Sequence, residues 1–100
     1  MSFVDYIFSP DTNEYVLVKV VYTSADDQKK GQQALDRTIT TNPKIPIDHF
    51  IAMQSDGNIN AIYLVMAPEK FVRIDRTGSA ATGDQLIALA SKVANIILYK

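Results

Sequence analysis

The stretch IDHFIAMQSDGNINAIYLVMAPEKFVRID, from Ile47 to Asp75, decides the fold. It holds three apolar runs separated by two turn signals. Ser55-Asp56-Gly57-Asn58 is a strong hairpin turn, because Asp-Gly accepts the positive φ angles that tight turns need. Pro68-Glu69-Lys70 turns the chain again. The runs Ile47–Gln54, Ile59–Ala67 and Phe71–Asp75 are therefore read as three consecutive strands. Strands joined by such short connections must run antiparallel, so this third of the chain is a meander.

Upstream, Phe3–Phe8 is an aromatic and β-branched run, followed by the turn formers Ser9 to Asn13. Glu14–Thr23 comes next, with Val16, Val18, Val20 and Tyr22 on one face and Tyr15, Leu17, Lys19 and Val21 on the other. Both faces are largely apolar, as in a central strand covered on both sides. These two runs are expected to form a hairpin.

Thr23 or Ser24 then caps a helix, with Asp26 and Asp27 favouring its N-terminal dipole. The helix is expected to run to about Thr40 and to end at Asn42-Pro43, since proline disfavours helical geometry in the residue before it. Its apolar content is thin, and Gly31 in its middle weakens it by about 1 kcal/mol relative to alanine. It should lie lightly docked on the surface. The last helix follows Thr82, where Thr82-Gly83-Asp84-Gln85 reads as a capping box. Leu86, Leu89, Ala90, Val93 and Ile97 form its core stripe, extended by Ile87, Ala94 and Leu98 and further by Ile96 and Tyr99. That stripe is wider than the span of a little over 100° that one layer usually covers. Ile87, Ile96, Leu98 and Tyr99 are accordingly the candidate interface residues.

The expected fold is α+β: one domain over residues 1–100, a single five-stranded mixed or antiparallel sheet, element order ββαβββα, and two helices packed on the sheet. This order resembles the core of roadblock- and longin-like domains within the wider profilin-like group. The resemblance lies in element order alone. It implies a dimerising adaptor or scaffolding module, of the kind found on small GTPases or trafficking machinery.

Composition narrows the function. Ten basic and eleven acidic residues give a net charge of −1, and the only adjacent basic pair is Lys29–Lys30. The clustered cations that neutralise phosphates are missing, which argues against nucleic acid as a partner. There is no cysteine, so disulfides, thiolate zinc sites and cysteine nucleophiles are excluded. No run approaches eighteen apolar residues, so no membrane span is expected. The N-terminal residues carry no signal-peptide pattern, and the expected location is the cytoplasm.

The candidate chemistry is sparse. Gly78-Ser79-Ala80-Ala81-Thr82-Gly83 opens a helix with two-glycine spacing, and Arg73 and Arg76 lie upstream. A Walker loop would continue with Lys and then Ser or Thr; here Asp84 and Gln85 follow, and Asp84 puts negative charge where a phosphate would sit. Arg73, Arg76, Ser79 and Thr82 remain the candidate ligand-binding residues. His49 is the sole histidine, and Asp48 points to the opposite side of its strand, so the two form no catalytic pair. A satisfied strand or rim residue is the expected use of His49. Asp75 is expected to pair with a neighbouring arginine.

No catalytic constellation, cofactor motif or metal set emerges. The leading expectation is a self-associating, non-catalytic protein–protein interaction module, a homodimer that also binds a protein partner. The alternatives are a small-ligand or anion-binding domain or minor enzyme with a site near residues 76–83, and a small inhibitor or accessory protein that masks a larger partner.

Overall fold

The structure, a computed structural model, describes residues 6–8, 16–76 and 82–98. It is the expected α+β fold, with β1 (Tyr6–Phe8), β2 (Val16–Val21), α1 (Ala25–Ala34), β3 (Thr38–Thr40), β4 (His49–Met53), β5 (Ile59–Ala67), β6 (Lys70–Arg76) and α2 (Gly83–Leu98). The five expected strands are present in the expected order. A three-residue strand, β3, adds a sixth at one edge. The sheet order is β1-β2-β6-β5-β4-β3, and every pairing is antiparallel. The two hairpin turns form as read, with Gly57 at φ +87°.

Among the described residues, one boundary differs from the sequence reading by more than two residues. The first helix stops at Ala34, not near Thr40. Asp36 adopts a left-handed φ of 61°. The Asp36 N–H donates to the Gln33 carbonyl and the Arg37 N–H to the Gln32 carbonyl, each at 3.1 Å. This is a Schellman closure with aspartate where glycine is usual. The β-branched Thr38-Ile39-Thr40 then prefers the pleated surface beside β4.

The helices cover opposite faces of the sheet. On one face Val18, Ile51, Ile62, Leu64, Val72 and Ile74 pack under Leu86, Ile87, Ala90, Val93 and Ala94 of α2. Ile45, from the segment between β3 and β4, joins the same cluster at 4% exposure. On the other face Phe50, Ala52, Ala61, Tyr63 and Phe71 form a second cluster beneath Ala25 of α1. The alternation in β5 beyond Asn60, with Ile62 and Leu64 to one side and Ala61 and Tyr63 to the other, produces this division.

Candidate functional site

The end of α2 carries the exposed apolar surface that the sequence pointed to. Thr82 and Gln85 close the capping box: the Gln85 N–H donates to Thr82 Oγ1 at 3.2 Å and the Thr82 N–H to Gln85 Oε1 at 2.9 Å. From this start the stripe Leu86, Ala90, Val93 and Ala94 is buried, and Leu89 and Ile97 pack partly against it. Ile96 is 55% exposed and Leu98 50%. Ile87 differs from its expected place in an interface: it is 8% exposed and belongs to the core. Tyr99 lies outside the described residues.

Ile96 and Leu98 are two residues apart, hence about 200° apart around the helix, and flank the buried stripe on opposite sides. Beside Ile96 stand Leu89, Lys92 and Val93, and beside Leu98 stand Ser91, Ala94 and Asn95. The Ile96 flank is the more apolar of the two.

Of the four candidate ligand residues, the two whose side chains are described, Arg73 and Thr82, serve opposite faces of the sheet. Arg73 projects from the α1 face, where its Nε donates to Asp75 Oδ1 at 2.9 Å and its guanidinium lies 5.3 Å from the Tyr63 ring centroid. Its Nη1 also donates to Gln28 Oε1 at 3.4 Å. Asp75 is thus used in a structural ion pair. Thr82 spends its hydroxyl and N–H on the cap of α2, which covers the other face. Ser79 lies outside the described residues, and Arg76 is described only as the last residue of β6.

His49 is also spoken for. Its Nε2 accepts from the Asn42 N–H at 2.9 Å, and its Nδ1 lies 2.7 Å from the Ile47 carbonyl oxygen. With both ring nitrogens partnered, the ring pins the segment that inserts Ile45 into the core. Among the described residues, no group of three or more His, Asp or Glu could hold a metal ion.

One cavity was not anticipated. A cleft of about 920 Å³ opens between the N-terminal half of α1 and the β5–β6 turn. Phe50 and Val65 contribute its apolar wall, and Asp26, Lys29, Glu69 and Lys70 its charged rim. No sequence signal marks it, because its walls come from segments some twenty residues apart that only the sheet order brings together.

No helix among the described residues is long and apolar enough to cross a membrane. No family model matches the chain, and neither a curated protein nor a solved structure matches it.

Proposed function

We propose that the protein is a non-catalytic protein–protein interaction module of the adaptor or scaffold type, acting in the cytoplasm as a homodimer that also binds a protein partner. The observation that carries this reading is the exposure of Ile96 and Leu98 on the last turns of α2. A stable dimer covers about 800 Å² on each partner, more than two side chains supply. The partly buried Leu89 and Ile97, which pack against the same core cluster, extend the surface on offer. The more apolar Ile96 flank is the centre of the proposed contact.

Light scattering on a size-exclusion column, over a range of concentrations, tests this. The reading expects a mass near twice 11.1 kDa, with Ile96→Glu dissociating the dimer more completely than Leu98→Glu. A mass fixed at 11.1 kDa at every concentration overturns it.

A second reading, small-ligand binding, is favoured by the cleft between α1 and the β5–β6 turn. It is distinct from the site expected near residues 76–83, most of which lies outside the described residues. Ligand binding to the native state raises the melting temperature, so a thermal-shift screen with nucleotides, phosphates and common metabolites separates the two readings. A shift abolished by Lys29→Ala supports the cleft. No shift with any of them counts against it.

A further inference from the structure

Helix α1 is held to the sheet by unusual means. Its inward residues Ala25, Gln28, Lys29 and Gln32 follow the i, i+3, i+4, i+7 spacing of a docking stripe, yet only Ala25 is apolar. Gln32 is 7% exposed and is the centre of attachment. Its Nε2 donates to the Tyr63 hydroxyl at 2.6 Å, and its Oε1 accepts from Arg37 Nη1 at 2.6 Å and from Asn60 Nδ2 at 3.4 Å. The N-terminal end is tied by one backbone bond, from the Ala25 N–H to the Pro68 carbonyl, at 2.9 Å. Water can replace each of these bonds when the helix leaves. The net contribution of such bonds is therefore small beside that of a buried apolar stripe.

The helix is also intrinsically weak. It has ten residues, short of the length at which an isolated helix is stable in water. Gly31 sits in its middle with open space around the position a Cβ would take, so packing does not require glycine there. Beneath the helix lies an aromatic floor. Phe50 and Tyr63 stack at 4.4 Å, and Tyr63 meets Phe71 at 5.4 Å. The cleft of about 920 Å³ is lined by Ala25 and Lys29 of α1 and reaches Phe50 of this floor.

We propose that α1 is a lid: it undocks and melts as a unit while the sheet and α2 stay folded, uncovering the aromatic floor of Phe50, Tyr63 and Phe71. This stands apart from the self-association reading, since it concerns the opposite face of the sheet.

Native-state hydrogen exchange on the full chain tests it. The Gln33 and Ala34 amides are expected to exchange at least about tenfold faster than those of Ile62 and Leu64 after correction for intrinsic rates. Ile74→Val, on the α2 face, is expected to speed exchange at Ile62 and Leu64 about fivefold while leaving the α1 amides unchanged. Gly31→Ala, which should fold at least as well as the parent chain, is expected to slow the α1 amides about fivefold. The lid is overturned if the α1 amides share the protection of Ile62 and Leu64 and accelerate with them in Ile74→Val.

Discussion

The two helices of this molecule cover the two faces of one sheet by different physics. α2 places Leu86, Ala90, Val93 and Ala94 in a continuous apolar stripe against Ile62, Leu64, Val72 and Ile74. α1 places Gln28, Lys29 and Gln32 over Phe50, Tyr63 and Phe71, and holds on through hydrogen bonds to Tyr63, Asn60 and Arg73. Burial of apolar area is favourable whatever the details of geometry. A polar attachment is favourable only while each donor and acceptor keeps its partner. The contrast teaches that one face is built for permanence and the other for conditional closure.

The sharpest way to break the contrast is to weaken the permanent face. Leu86 is 1% exposed, and Leu86→Ala is expected to cost about 2–5 kcal/mol in global stability by urea denaturation. A cost below 1 kcal/mol would mean that α2 is not the principal buttress. Next in size is Tyr63→Phe, which removes the hydroxyl and leaves the Gln32 amide without that acceptor. A loss of about 1–3 kcal/mol is expected, read in the same titration. A neutral result would show that the network contributes nothing to holding α1.

Gly31→Ala sharpens the contrast from the opposite direction, with an expected gain of about 1 kcal/mol. The smallest effect belongs to the pair Lys30–Asp26, at 3.1 Å on the outer side of α1. The hydrogen bond and charge of Asp26, with a further contribution from Asp27, hold the Lys30 ammonium above its ordinary proton affinity. The contribution of a raised lysine is complete below its ordinary titration range and is lost as pH rises through the raised value. Both groups are well exposed, so the pair is screened by salt. Lys30→Ala is expected to lower the melting temperature less than any change above, with no difference left in concentrated salt.

The apolar face was the more legible in the sequence, for the same reason that it is the stronger. A stripe such as Leu86, Ala90, Val93 and Ile97 repeats with the helical period, and the capping box marks where it starts. The Asp-Gly turn and the alternation in β5 likewise show on inspection, so the meander and the order of the five main strands follow. Polar docking leaves no such trace. Gln32 reads as a surface residue until Tyr63, thirty-one positions away, is brought beneath it. The early end of α1 was hidden because aspartate rarely takes the left-handed conformation of Asp36, although Thr38-Ile39-Thr40 was a β-branched signal for the edge strand. The irregularity in pairing between Ala52 and Met53 was equally silent, and it lies opposite Asn60, which reaches Gln32. Of the candidate residues, the exposure of Ile96 and Leu98 was legible from their excess over one layer's needs. Ile87 was not separable from them, because the segment carrying Ile45 covers that flank and has no periodic pattern.

The central claim is that the two faces differ in kind, and the urea dependence of amide exchange tests it most directly. An opening that releases only α1 exposes little surface, so exchange at Gln33 should respond weakly to urea, while Ala90 in α2 should follow the full slope of global unfolding. The account predicts two separate isotherms that merge only as urea approaches the unfolding midpoint. A single shared isotherm from zero urea upward would contradict it, and would mean that both helices leave the sheet together.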